Sequence, residues 1–532
     1  MTHALSVIIN TITGRDSKRR RAGLLLPSPA SQITNRAGAL RFRMTTTSKL
    51  TISAVLLIST FGSAGCLRPS ARNASSDGQD GGGAAGARPP PARDARADQP
   101  TLDAGPSSPP PPPDGGDALP RSDGGEATPP LVVDATSLEH KMLFGYQGWF
   151  LCPGDGAPGN TWVHWFRNGT PAAANLTVDL WPDTSELGDD ELFATQMKYA
   201  DGSVARLYSA YGAKTVARHF AWMKDSGIDG VALQRFLVDV QAPPLFAARN
   251  QVAQNVRAGA EANGRVFAIE YDITGSDEAH LVAELEADWK YMVDTLQVTA
   301  SPRYLMDGGK PVLYLWGLGF TTNAATAADA QALIDWFTKS AEPQYRATLV
   351  GGIPTHWRTL TVDSMTDPAW SAVYRSFDVL SPWTVGRYVN DAAVDSYRAT
   401  SLEPDLAAAM AAGKRYMPVV FPGFSWHNLK GSTEALNQVP RRGGDFYWRQ
   451  VWNAVGAGAT MMKTAMFDEV DEGTAMFKLA PSSAMLPAGA SLVPLDADGQ
   501  TLPSDFYLRL GGAATAMLRG DLPLTATLPV AP

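Results

Sequence analysis

From about residue 140 onward, short apolar runs alternate with segments of helical spacing, and that alternation restricts the fold more than any other feature of the chain. The apolar runs cover 143–148, 230–236, 266–272, 311–316, 348–353, 379–383, 416–422 and 461–468. Each is nearly continuous in apolar residues, as strands buried on both faces are. Between them the spacing predicts helices over 213–226, 244–263, 279–295, 325–341, 365–376, 393–413 and 443–457. Such strands separated by helices make a parallel sheet covered by helices, and eight of them suggest an α/β fold of the (β/α)8 TIM-like barrel type. An open doubly wound sheet is the alternative topology. A further apolar run, 176–181, sits in a long insertion after the first strand and lacks a following helix. It reads as a loop or an added hairpin.

The preceding residues have a different character. Residues 44–66 carry Lys49, an apolar stretch from Leu50 to Phe61, and small residues leading into Cys66, which is the pattern of a secretory signal. The ending Ser63-Ala64-Gly65-Cys66 resembles a bacterial lipobox. That resemblance makes Cys66 the expected lipidated first residue and a membrane anchor. The apolar stretch is too short to span a bilayer. Met44 is the more natural start, so residues 1–43, with Lys18-Arg19-Arg20-Arg21, read as an over-extended N-terminus. Residues 67–135 are rich in Pro, Gly, Ala and Asp, including Pro109 to Pro113, and cannot bury enough apolar surface to offset chain entropy. They read as a disordered spacer ahead of a single folded domain at 136–525. An anchored, spaced head implies a substrate met outside the cytoplasm, on the cell envelope or after secretion.

Composition excludes several classes. The net charge is -8 and the folded part has no basic cluster, which argues against nucleic acid. The two cysteines, Cys66 and Cys152, cannot build a disulfide framework, and no Cys/His spacing suits zinc. Neither a GxGxxG nor a P-loop is present, so no cofactor is expected. The head is expected to be a monomer.

The last apolar run, 461–467, ends abruptly in Asp468, Glu469, Asp471 and Glu472. Crowded carboxylates raise one another's pKa, so one can hold a proton while its neighbour is ionised. That is the acid-and-base pair glycosidic cleavage needs. In isolation such a cluster is a solvated loop. In a barrel, residues just past each strand meet at one rim. Those positions hold Gln147, Trp149, Arg235, Glu270, Asp272, Trp316, Trp357, Arg358, Trp383, Trp426 and His427 beside the acidic segment, the aromatics to stack on sugar rings and the polar groups to orient hydroxyls. The chain has 14 Trp residues, and for any single one core packing is the simpler reading. Glu270 has its own plainer reading, an ion pair with Arg235.

At these residues the sequence resembles bacterial proteins similar to glycoside hydrolase families 71 and 99, whose relatives are often labelled xylosidase/arabinosidase. The segments are 144–150, 162–165, 229–236, 354–358, 420–428 and 467–474, spread over about 140–515. Family 99 holds endo-acting α-mannosidases on a (β/α)8 barrel, with a catalytic segment similar to Asn-Glu-Trp-His-Glu-Gly-Thr. The matching stretch here is Asp468-Glu469-Val470-Asp471-Glu472-Gly473-Thr474, so the resemblance implies catalytic roles for Glu469 and Glu472. It further implies that the sugar's 2-hydroxyl acts as nucleophile, with Glu469 as its base and Glu472 as acid at the leaving oxygen. Asp468, Val470 and Asp471 replace the Asn, Trp and His of that segment. Because residues i and i+3 of a straight strand point to opposite faces, both glutamates can meet one sugar only if the chain bends between them, and Gly473 suits such a bend. Two other readings stay open: a surface glycan-binding lipoprotein with a decayed site, and a metal-dependent hydrolase using Asp468, Asp471, Glu472 and His427.

Overall fold

A computed structural model of the protein describes residues 132–532. The signal, Cys66 and nearly all of the spacer lie outside the described residues. The described residues form one parallel sheet of eight strands, all at the expected places. They are β1 (Met142–Tyr146), β2 (Gly230–Phe236), β3 (Val266–Asp272), β4 (Lys310–Trp316), β5 (Thr348–Ile353), β6 (Val379–Pro382), β7 (Arg415–Tyr416 with Val419–Val420) and β8 (Met462–Thr464). The first half of β7 pairs with β6 and its second half with β8. Pro418, which has no N–H to give, falls between the halves; its carbonyl accepts from Lys463 N at 2.9 Å while Met417 N reaches back to Leu380 O at 2.8 Å. Strand β1 pairs with both β8 and β2, so the sheet closes into a barrel.

Each strand is followed by helix. These are α1 (Ala213–Ser226), α2 (Pro243–Asn263), α3 (Leu281–Asp294), α4 (Ala327–Asp335), α5 (Ala369–Tyr374), α6 (Asp391–Tyr397) with α7 (Glu403–Ala411), α8 (Asp445–Gly456) and α9 (Phe506–Arg519). The helix expected over 365–376 shrinks to α5, which begins after Pro368. Helix α9 completes the eighth βα unit and has no counterpart in the sequence reading. Its Gly511-Gly512 pair costs roughly 1 kcal/mol per glycine in a helix interior. The glycines are there for contact: a Cβ on Gly512 would stand 1.6 Å from Ser226 O, and one on Gly511 2.9 Å from Phe144 Cζ.

Of two regions at the edges of the barrel, the second differs from expectation. The run 176–181 is a loop, one of the two forms expected for it, and it is buried, with its Asp179 and Leu180 N–H groups donating to Val470 O at 2.9 and 3.1 Å. The hairpin of the insertion is built instead from Leu192–Lys198 and Val204–Tyr208. Val133 and Ala135, assigned to the spacer, are buried against Leu143, Val266, Val312 and Met461 at the barrel floor. Val133 N donates to Gly264 O at 2.9 Å, so the folded part starts by residue 133.

Strand parity sorts the interior. The lower barrel is filled by Ala232, Ala268, Val312, Tyr314, Val350 and Val379. Above them the inward positions turn polar. Gln234 pairs in register with Glu270, and Asp272, Trp316, Gly352 and Ser381 form the next tier. An apolar floor under a polar mouth places the chemistry at the C-terminal ends of the strands.

Candidate active site

The acidic segment is a closed loop over that mouth. Past β8, Phe467 N donates to Gly145 O at 2.7 Å and keeps the chain against β1. The chain then reverses. Thr474 and Ala475 N–H groups donate to Glu469 O at 3.1 and 2.9 Å, and those of Met476 and Phe477 to Phe467 O at 3.0 Å each. Gly473 carries the reversal at φ 67°, and a Cβ there would stand 2.6 Å from Ser425 N. The bend required for Glu469 and Glu472 to share one space is therefore present.

The four carboxyls have different duties. Asp468 accepts Gln147 N at 2.7 Å and Gly148 N at 2.9 Å, one on each oxygen, and so fastens the loop to the end of β1. Burial still pushes it up to about 7. Glu469 is buried and held at both oxygens, by Gln147 Nε2 and by Thr474 Oγ1, each at 2.6 Å. Burial first, then the charges of Glu472 and Asp471, push its carboxyl well above the usual range. Glu472 keeps part of its surface open, and Ser425 N donates to its backbone carbonyl at 3.0 Å. Burial and Asp471 push its carboxyl up to about 7, while Lys430 pulls the other way. Asp471 Oδ2 lies 3.2 Å from His164 Nδ1, and its Oδ1 has no partner. Burial raises Asp471 to about 7. The charge of Glu472 acts on Glu469, so the two lie within electrostatic reach. Glu469 is raised the more strongly even with two fixed donors on its oxygens, whereas Glu472 has no such donor.

Two residues that complete this arrangement were not singled out from the sequence. His164 stacks flat on Trp149, with ring centroids 3.9 Å apart at 6°, and burial lowers its pKa well below the usual value. A neutral ring therefore faces Asp471. Asp179, in the 176–181 run, accepts Ser425 Oγ, His427 N at 2.7 Å and Asn428 N at 2.8 Å, and its own N–H donates to Val470 O, tying the 425–428 turn to the acidic loop. A lone Asp in an otherwise apolar buried run was the available signal for it.

Deeper in the mouth, Asp272 accepts Gln234 Nε2 at 2.8 Å and Thr274 N at 2.7 Å, and burial raises it to about 7. Glu270 is paired with Lys463, not Arg235. The Lys463 ammonium also lies over the rings of Trp383 and Tyr314, 5.4 and 5.6 Å from their centroids. Trp316 stacks on Phe320 at 4.8 Å and meets Trp383 edge-on at 5.6 Å. Gly352 makes room for it, since a Cβ there would stand 2.4 Å from Trp316 Cδ1. Gln147 Oε1, Trp149 Nε1, Gln234 Oε1, Glu270 Oε2, Trp316 Nε1 and Ser381 Oγ are buried without a hydrogen-bond partner. Buried polar atoms seldom go unsatisfied, and this many lining one mouth suit a hydroxyl-rich guest.

Several expected site residues stand elsewhere. Arg235 follows inward-facing Gln234 and so turns outward, where Asp288 and Asn250 hold its guanidinium between the sheet and the helices. Trp357 is fully buried, and it and Arg358 both bind Asp405 of α7, at 3.1 and 2.7 Å. None of the three faces the mouth. Trp426 and His427 stay at the rim, Trp426 beneath Lys430 and His427 with Nδ1 2.6 Å from Glu434 O. The set Asp468, Asp471, Glu472 and His427 does not converge as metal ligands, because Asp468 and His427 are engaged elsewhere. Among the described residues no group of three or more His, Cys, Asp or Glu is arranged to hold a metal ion.

No family model matches the chain, and no curated protein matches it by sequence. Among solved structures, the chain is similar to a glycoside hydrolase family 99 endo-α-mannosidase from Bacteroides thetaiotaomicron bound to bis-tris-propane, with a TM-score of 0.53 and 14% identity over 72% of this chain and 99% of that one. Another structure of the family 99 endo-α-mannosidase from Bacteroides thetaiotaomicron gives a TM-score of 0.50 and 15% identity, over 72% of this chain and 99% of that one. At such identities the likeness speaks for architecture, and it shows that this chain has a (β/α)8 barrel shared with glycoside hydrolases.

Proposed function

We propose that the protein is a glycoside hydrolase acting on an oligo- or polysaccharide by carboxylate acid/base catalysis. The observation that carries the proposal is the reversed loop that sets Glu469 and Glu472 within electrostatic reach of each other over a polar, aromatic barrel mouth. In this reading Glu472 gives its proton to the leaving oxygen. Glu469, oriented by Gln147 and Thr474, takes the proton of the attacking group. By the family resemblance that group is the sugar's own 2-hydroxyl. Trp149, Trp316, Trp383 and Trp426 belong to the saccharide-facing surface, with Asp272 and Asp471 as hydroxyl partners.

The test is a glycan panel with reducing-end and stereochemical product analysis, run on wild type, Glu469→Gln and Glu472→Gln. Cleavage by wild type and its loss in both variants is the expected outcome. Full turnover by Glu472→Gln refutes the assignment, and sugar binding without cleavage by wild type turns the reading to a glycan-binding lipoprotein. The export signal, the Cys66 anchor and a monomeric head on its spacer complete the proposal. Fatty-acid labelling of wild type against Cys66→Ser tests the anchor, and light scattering tests the monomer.

A further inference from the structure

Buried and half-buried arginines in this protein usually have a carboxylate. Arg235 has Asp288, Arg249 has Asp239, Arg218 has Glu191 and Arg358 has Asp405. Arg167 departs from this. It begins the short turn Arg167–Gly169, three residues after His164, and its Nε and Nη2 are buried with no hydrogen-bond partner. No acid stands among the groups that influence it, and burial alone lowers its pKa. Leaving two buried guanidinium N–H groups unpaired is costly unless something outside the chain supplies an acceptor.

A second cation stands beside it. The guanidinium carbon of Arg167 lies 3.9 Å from where a Cβ on Gly431 would be, and the residue before that glycine is Lys430. Lys430 forms no ion pair among the described residues; its ammonium sits 4.3 Å from the centroid of the Trp426 ring. It is also close enough to Glu472 to draw that carboxyl down. The Arg167 guanidinium thus reaches the glycine that follows Lys430, Lys430 stands near the proposed acid, and neither cation has a carboxylate paired to it among the described residues.

We propose that Arg167 and Lys430 form an anion subsite, so that the glycan taken by this mouth carries a carboxylate, sulfate or phosphate group seated between them. This rests on the hydrolase reading and specifies its substrate class. Guanidinium supplies a planar fork for two anion oxygens and ammonium a point charge, a combination suited to any of the three groups.

Binding is measured by calorimetry on the full-length Glu472→Gln chain, so that turnover does not consume the probe. The probes are matched oligosaccharides that are neutral, uronate-bearing, sulfated or phosphorylated, together with inorganic sulfate and phosphate. At least one anionic class is expected to bind about tenfold or more tightly than its neutral counterpart, which is about 1.4 kcal/mol. That advantage should shrink as salt is raised. Adding Arg167→Gln or Lys430→Gln should collapse the preference, and Arg167→Lys should restore part of it. Melting temperature confirms folding, and the half-exposed Lys430 gives a second variant should Arg167→Gln misfold. Equal binding of neutral and anionic glycans overturns the proposal, as does a preference that survives both variants. Inorganic anions binding as tightly as the whole glycan also overturn it. Hydrolysis by wild type is scored separately, so failure of the catalytic pair and failure of the anion subsite remain distinguishable.

Discussion

Acidic residues from neighbouring parts of one mouth meet opposite fates. Glu270 on β3 is paired with Lys463 on β8, and that ammonium is further covered by Tyr314 and Trp383. In the loop above, burial raises three carboxyls together: Glu469 with the charges of Glu472 and Asp471 added, Glu472 with that of Asp471, and Asp471 with that of Asp179. One acid is neutralised in place. The others are kept in a state where a proton is easily gained or lost. The difference teaches where charge is settled and where it is left open: it is balanced in the barrel wall and left unbalanced in the loop to which we assign the chemistry.

The largest effect tests that division directly. Glu472→Gln and Glu469→Gln should each lower kcat by about 10²–10⁴-fold, the range of acid–base contributions, with KM changing far less. Because Glu472 sits near 7, wild-type activity should fall as pH rises through about 7 and the acid loses its proton. A Glu270→Gln variant that lost turnover as completely, while folded, would break the comparison, since Glu270 would then be chemical and not structural.

Next in size is the paired side. Lys463→Met leaves Glu270 as a buried charge without its partner, a change that costs about 3–5 kcal/mol in comparable buried pairs. The double variant Lys463→Met, Glu270→Leu should recover most of that loss, because both charges go together. Urea melts of the three chains measure it. A double variant as unstable as the single one would show that the pair does more than balance itself.

A smaller effect follows from pH alone. Asp272, Asp468, Asp471 and Glu472 are all raised to about 7 in the folded protein, above their unfolded values near 4. A carboxyl raised on folding contributes stability that is full below its unfolded pKa and is lost as pH climbs through the folded one. The buried histidines oppose this. His219, lowered to about 3, and His164, also lowered, cost stability as pH falls below about 6.5. Four carboxyls outweigh two histidines, so the melting temperature should be higher at about pH 5.5 than at about pH 8.5. A flat or reversed profile would mean that the loop's charges are balanced after all.

The barrel was legible because eight strands buried on both faces leave eight nearly continuous apolar runs separated by segments of helical spacing. Helix α9 was not, because Gly511-Gly512 reads as a break until the contact with Ser226 is known. Arg235 could have been placed correctly from parity: Gln234 faces inward, so its neighbour cannot. Trp357 and Arg358 were misplaced because the stretch after β5 dives under α7 toward Asp405, a contact 47 or 48 residues away in sequence that no local pattern announces. Lys463 was visible all along as a lysine in a buried strand, a residue almost never buried without a partner. Glu469 and Glu472 were legible as a pair. The bend that joins them needed the turn at Gly473 and its contact with Ser425, which only the fold supplies.

The smallest prediction is the sharpest, because it concerns a sign. Removing either member of the Glu270–Lys463 pair should destabilise the protein, whereas removing a charge from the crowded loop should stabilise it. At about pH 8, Glu472→Gln deletes a carboxylate that burial and Asp471 both disfavour, and glutamine keeps nearly the same volume. The expected gain is about 0.5–2 kcal/mol, the usual size when a function-bearing strain is relieved. At about pH 5, where the wild-type carboxyl is already protonated, that gain should vanish. Thermal melts of wild type, Glu472→Gln and Lys463→Met at the two pH values decide it. If Glu472→Gln loses stability at pH 8 as Lys463→Met does, then Glu472 is a structural acid in a satisfied network, and the distinction between the barrel wall and the loop above it falls.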